Sequence, residues 1–378
     1  MSEKMKVTVK CMAGCEEVLA EEMKAIGATE VTIGNRIVFT NADMEWVYRA
    51  NLCLRTALRI YIPFKTFRAH TPEILYHKTK KHRWEDLFSL DQTFAVDSTV
   101  HSQYFTHSKF ASLKVKDAIV DQFRMRFDSR PNVDPENPDY RFHLHIQEDQ
   151  CTLSLDTSGH SLHLRGYRVR QGEAPMSEVL AASILRLSGW KPEEPLINPM
   201  CGSGTFMAEA AFMAENRSPH INQDFGFKNW NDYNPKLWAN ALEYVEDHVV
   251  ESPFQISGFD KDRGVLNAAR VNIDAAGYGD KIQLEVEDFL KYDPQITGGH
   301  VFINPPYDIR LQESDIEEFY QQMGDSLKKH YAGNQIWIIT GNREASKRIG
   351  LRTSMKKQMW NGPIECRLLK FEMYRGSK

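Results

Sequence analysis

The C-terminal half contains a series of short apolar runs, at residues 195–199, 255–260, 282–287, 300–304 and 335–340, separated by stretches with helical spacing. A strand that alternates with a helix in this way must be covered on both faces, so the pattern predicts a parallel sheet in an α/β layer structure. The last two candidate strands, 352–360 and 364–374, flank Asn361-Gly362. That dipeptide favours a tight hairpin, so the sheet should end in an antiparallel pair.

Residues 1–166 read differently. Strands are expected at 6–10, 31–40, 94–101, 142–147 and 151–156, and helices at 13–26, 44–58 and 108–127. Strands interleaved with amphipathic helices predict a small α+β region. This part carries 22 Lys+Arg against 22 Asp+Glu, whereas the remainder carries 25 against 29, so the net charge of −4 does not advertise a nucleic-acid binder. The densest basic run, HKTKKHR at residues 77–83, could neutralise phosphates or form a solvated helix face. The six cysteines are scattered without a CxxC pair, which argues against a disulfide framework and a metal site. No apolar run is long enough to span a bilayer, and the N-terminus lacks the features of a signal peptide. The expected location is therefore cytoplasmic, with no membrane and no metal partner.

Four strand ends carry chemistry. LINPMCGSGTFMAEAA, residues 196–211, runs from a strand through Gly202 and Gly204 into a helix from Thr205. Such a turn allows close approach of a ligand, and the helix start offers free N–H groups to an anion. It is neither the dinucleotide fingerprint, because Met207 replaces the third glycine, nor a Walker loop, because no Gly-Lys-Ser/Thr follows. In SGFDKD, Asp260 suits ribose hydroxyls, while Asp262 suits the first turn of a helix. In VEDFL, Asp288 could accept from an adenine amino group. In FINPPYDIR, Pro305 and Pro306 hold the backbone extended after Asn304. The Asn304 side chain and the adjacent backbone present acceptors for an amine whose lone pair is delocalised into a ring, and Tyr307 offers a stacking face for a base out of its helix.

With QGEAPMSEVLAASILRLSGW before them and WNGPIECRLLKFEM after them, these motifs resemble class I methyltransferases of nucleic-acid amines. The whole chain is similar to bacterial large-subunit ribosomal RNA guanine-N2 methyltransferases, and SLDTSGHSLHLRGYR, residues 154–168, looks like the end of a THUMP domain. The resemblance implies a ferredoxin-like region at 1–60, a THUMP RNA-binding domain at 61–166 and, at 167–378, a Rossmann-like methyltransferase domain with a seven-stranded sheet. It implies S-adenosylmethionine as cofactor, surrounded by Ala174, Pro175, Met176 and the segment Asn198, Pro199, Cys201, Gly202, Gly204 and Thr205. Asp260 would hold the ribose and Asp288 the adenine. Asn304, Pro305, Pro306 and Tyr307 would hold the target base, with Asn304 also beside the cofactor. The family often has an acid where this chain has Asn198. The implied partner is RNA, foremost ribosomal RNA that is protein-free or in early assembly. Transfer RNA guanine-N2, adenine-N6 and protein glutamine methylation are alternatives that NPPY allows, and a non-catalytic ribosome-assembly role is another. Some relatives carry a second methyltransferase domain, which is not expected here because the chain ends at Lys378, soon after the hairpin.

Overall fold

The computed structural model describes residues 3–170, 176–306 and 313–374. In chain order the elements begin with β1 (Met5–Cys11), α1 (Glu16–Ala25), β2 (Thr32–Ile33), β3 (Ile37–Ala42), α2 (Met44–Cys53) and β4 (Ala57–Arg68). Next come α3 (Pro72–Lys80), β5 (Phe94–His101), α4 (Ser108–Phe127), β6 (Tyr140–Gln147) and β7 (Gln150–Asp156). The C-terminal half supplies α5 (Glu178–Ser188), β8 (Leu196–Pro199), α6 (Thr205–Ala214), α7 (Pro235–Asp247), β9 (Ile256–Asp260), α8 (Arg263–Ala275) and β10 (Ile282–Val286). It ends with β11 (His300–Ile303), α9 (Glu313–His330), β12 (Gln335–Thr340), β13 (Met355–Asn361) and β14 (Ile364–Glu372).

The chain forms two units. One comprises residues 1–11, 20–162 and 222–244, the other 12–19, 163–221 and 245–378. The first is built on a seven-stranded sheet ordered β2-β3-β1-β4-β7-β6-β5, antiparallel except for β5 beside β6. β4 joins its two halves: Thr8–Cys11 of β1 pair with its first residues, and β7 pairs from Tyr61 to Arg68 with a register shift at Pro63–Lys65. Residues 60 and 61, the expected junction between ferredoxin-like and THUMP regions, lie inside this strand.

The chain departs from its sequence periodicity at two places in this unit. The helix expected over 44–58 stops at Cys53, and β4 begins at Ala57. The cause is tertiary: the buried Glu22 carboxylate accepts from the backbone N–H groups of Arg55 and Thr56, at 3.3 and 2.9 Å, and from the Thr56 hydroxyl. Those bonds draw the chain out of the helix although its apolar spacing continues. The strand expected over 31–40 is two strands, β2 and β3, split by a turn in which Arg36 adopts φ 60°.

The insert 222–244 gives the first unit an aromatic core of its own. Trp230 stacks on Tyr140 with centroids 5.7 Å apart, and Phe227 lies 4.6 Å from Tyr48. The Tyr140 hydroxyl accepts from the Asn231 N–H at 2.7 Å. The basic run falls on the last turn of α3 and just beyond it, where Lys80 and His82 are half-buried, Arg83 pairs with Asp86, and Thr79 and Trp84 belong to the core.

The second unit has the order β10-β9-β8-β11-β12-β14-β13, with β8 to β12 parallel and the final pair antiparallel. The expected seven-stranded sheet with its antiparallel hairpin is present. Strand order reverses between β8 and β11, and in open α/β sheets a ligand crevice forms outside the strand ends at that point.

Candidate active site

A cavity of about 430 Å³ opens at that switch point. β8 leads into it through Met200, Gly202 and Gly204, with φ 53°, 57° and 83°. A left-handed Met200 is strained, and such strain concentrates where a ligand must be gripped. A Cβ on Gly202 would project into open space, so this glycine leaves a cradle in the cavity wall, whereas one on Gly204 would press on Ile273 of α8 at 3.2 Å. The close helix–strand approach usually supplied by a third glycine comes from the other partner. Met207 of α6 occupies the space that a Cβ on Gly258 of β9 would need.

The acids at the strand ends differ in what they already do. Asp260 accepts from the Gly202 N–H at 3.2 Å and the Asp262 N–H at 3.1 Å, so it shapes the glycine loop as well as lining the cavity. Asp262 is the N-cap of α8, accepting from Gly264 and Val265. Asp288 accepts from the Leu290 N–H at 3.1 Å and also lines the cavity. Burial, with Asp260 nearby, pushes the Cys201 thiol far above its usual range, so the sulfur is a neutral wall atom.

Asn198 is buried at the end of β8 and donates from Nδ2 to the Phe302 carbonyl at 2.7 Å, across the strand pair that reverses the order. Its Oδ1 is buried without a partner among the described residues. Two residues beyond Phe302, Asn304 is half-buried, Pro305 buried and Pro306 exposed, and all three line the cavity.

Of the sequence-derived site residues, Met176, Asn198, Cys201, Gly202, Thr205, Asp260, Asp288, Asn304, Pro305 and Pro306 converge on this cavity. Pro199 and Gly204 do not line it; they end the strand and start the helix beneath it. Ala174, Pro175 and Tyr307 lie outside the described residues. Sequence reasoning passed over other residues of the wall, among them Met200, Phe206, Glu287, Phe289 and Leu290. Glu287 stands beside Asp288 at the same strand end, and the two apolar residues after them were the available signal.

Residues 165–370 match the family described as RMKL-like, methyltransferase domain; residues 69–156 match the THUMP domain, and residues 6–61 the RlmL ferredoxin-like domain. The Synechocystis sp. protein slr0064, named as a candidate RNA methyltransferase, is 39% identical over 96% of this chain and 95% of its own length. A Ribosomal RNA large subunit methyltransferase K/L from Syntrophotalea carbinolica is 40% identical over 95% of this chain but 52% of its own, so the chain spans about half the length of such relatives. The crystal structure of SMU.472, a candidate methyltransferase complexed with SAH, superposes with a TM-score of 0.87 at 28% identity and covers 100% of both chains.

The cofactor of this fold is S-adenosylmethionine, and the residues fit it. The unpartnered Asn198 Oδ1 suits an ammonium group, and the Gly202 cradle leaves room for close approach. Asp260 and Asp288 suit hydroxyl and amino donors, while Met176, Phe206 and Leu290 suit the apolar remainder. Fold, cavity and family match agree: this chain belongs to the RMKL-like methyltransferase family.

Proposed function

We propose that this chain methylates the exocyclic N2 amine of a guanine in RNA, and that the RNA is large-subunit ribosomal RNA. The observation that carries the reading is that Asn304, Pro305 and Pro306 share one cavity wall system with the glycine loop, Asp260 and Asp288. Their shared cavity supports reading Asn304 as an amine acceptor next to the cofactor's pocket. The THUMP match and the names of the relatives support RNA as the carrier.

S-adenosylmethionine, when bound, supplies a methyl group on a sulfonium. The chain must then hold a weakly nucleophilic ring amine in line with it. The Asn304 side-chain carbonyl and the neighbouring backbone acceptors bind the amine hydrogens and orient its lone pair, which is catalysis by positioning and electrostatics. Pro305 and Pro306 keep that acceptor array rigid and contribute no N–H to compete for it. Phe206 and Phe289 contribute apolar surface to the wall.

The test is methylation of protein-free ribosomal RNA, followed by mass spectrometry of the modified nucleoside. The reading expects N2-methylguanosine from the wild-type chain and none from Asn304→Ala, with SAH binding retained in that variant. Undiminished transfer by Asn304→Ala sinks the assigned role. Recovery of N6-methyladenosine, or transfer to transfer RNA alone, replaces the substrate while leaving the amine chemistry intact.

A further inference from the structure

Outside the cavity wall, one buried side chain joins three segments that build the pocket. Asn272, in the third turn of α8, is 1% exposed. Its Oδ1 accepts from the N–H groups of Val169 and Arg170, both at 2.9 Å. Its Nδ2 donates to the Arg170 carbonyl at 2.9 Å and to the Ser203 carbonyl at 3.0 Å. A carboxamide has two donors and two acceptor lone pairs. Here all four positions are used, and every partner is backbone.

Those partners matter to the site. Ser203 lies in the glycine loop, between Gly202 and Gly204, and itself lines the cavity. A bond to its carbonyl fixes the plane of the Ser203–Gly204 peptide and so the aim of the first N–H groups of α6. Residues 169 and 170 follow Arg168, whose guanidinium donates to the Met176 carbonyl at 2.6 Å and to the Thr205 hydroxyl at 3.1 Å, and pairs with Glu178. Met176 and Thr205 both line the cavity. Asn272 therefore holds the glycine loop and residues 169–170, which follow Arg168, in one geometry without itself entering the pocket.

We propose that Asn272 is a positioning residue for the cofactor: it sets the conformation of the glycine loop relative to residues 168–170, so its loss lowers cofactor affinity beyond any loss of fold stability. No other side chain of its size serves. Aspartate keeps the shape and both acceptors but loses both donors, which leaves the Ser203 and Arg170 carbonyls facing a carboxylate. Alanine loses all four bonds. The proposal rests on the assignment of S-adenosylmethionine to this cavity.

The experiment uses the full chain and compares Asn272→Asp and Asn272→Ser with Leu368→Val, a buried change on β14 away from the loop. SAH affinity is measured by calorimetry at a temperature where each protein is folded, amide exchange is followed at Ser203 and Gly204, and KM is separated from kcat. The expected result is SAH binding weakened tenfold or more in the Asn272 variants, faster exchange of the loop amides, and KM for S-adenosylmethionine raised with kcat changed less than threefold. Leu368→Val should lower the melting temperature without moving SAH affinity. Asn272→Ser keeps one polar atom, so it serves if Asn272→Asp does not fold. SAH affinity within twofold of wild type in either folded Asn272 variant overturns the proposal. A wild-type chain that does not bind SAH overturns the cofactor assignment and this role with it, whereas equal binding by wild type and variants overturns this role alone.

Discussion

The Asn198 amide and the Phe302 carbonyl are joined at 2.7 Å across β8 and β11, the strand pair at which the sheet order reverses. The same residue lines the cofactor cavity, and its Oδ1 is buried without a partner among the described residues. One amide thus touches the strand that leads to Asn304 and the pocket beside it. An ionised carboxylate could not donate to Phe302, which gives a physical reason for an amide at this position.

Asn198→Ala should therefore destabilise the chain by about 1–3 kcal/mol, because the Phe302 carbonyl is left buried without its donor. It should also weaken SAH binding, because the Oδ1 acceptor is gone. Denaturant titration and calorimetry measure the two effects. An unchanged denaturation midpoint would show that the bond contributes nothing to the fold.

The Met207–Gly258 packing predicts strong coupling between those residues. A Cβ at Gly258 would overlap the Met207 sulfur. Gly258→Ala should cost about 1–3 kcal/mol, as overpacking does. Combining it with Met207→Ala should cost less than the sum of the two single changes, since the truncated side chain vacates that space. Additive losses in a double-mutant cycle would show that the two residues do not compete for room.

His143 predicts an acid-sensitive first unit. Burial first, then Lys10, His145 and Arg59, hold its imidazole at about 3, below the ordinary 6.5. The ring stacks on Tyr61 at 4.5 Å and pairs with the Thr99 hydroxyl at 3.0 Å. Because the folded value is the lower one, the unfolded chain takes up the proton more readily. Stability is then fully present above pH about 6.5 and falls as the pH drops towards 3, by about 2 kcal/mol at pH 5. Urea melts at pH 7.5 and 5 should show this loss in the wild type and a smaller one in His143→Gln. Equal slopes in both proteins would remove His143 from the acid response.

Trp230 predicts that the first unit depends on a segment remote in sequence. Its ring stacks on Tyr140 and is 5% exposed. Trp230→Ala should cost about 3–5 kcal/mol, the usual penalty for an emptied aromatic site. A fragment of residues 3–162 should likewise be less stable than the same fragment with 222–244 supplied. Equal denaturation midpoints for the two fragments would make the insert dispensable.

Much of the second unit was legible because its signals are local. An apolar run followed by glycines and a helical period reads as strand, turn and helix whatever surrounds it, and Gly202, Asp260, Asp288 and Asn304 each stand at such a strand end. The first unit was less legible where tertiary contacts override periodicity. The apolar spacing of 44–58 continues past Cys53, but Glu22, more than thirty residues earlier, captures the Arg55 and Thr56 N–H groups. The aromatic residues of 222–244 announce burial without saying against what, and their partners Tyr48 and Tyr140 lie far back in the chain.

The sequence by itself determined the sheet type, the glycine turn and the extended Asn304–Pro306 segment after β11, because each depends on the conformational preferences of a few adjacent residues. Only the tertiary structure decided that Asn198 donates to Phe302, that Met207 is matched by Gly258 rather than replaced by a glycine, and that Asn272 gathers Val169, Arg170 and Ser203. Those relationships join residues up to 104 positions apart. Which polar atom meets which is set by how strands and helices pack, and no local preference of the chain encodes that distance.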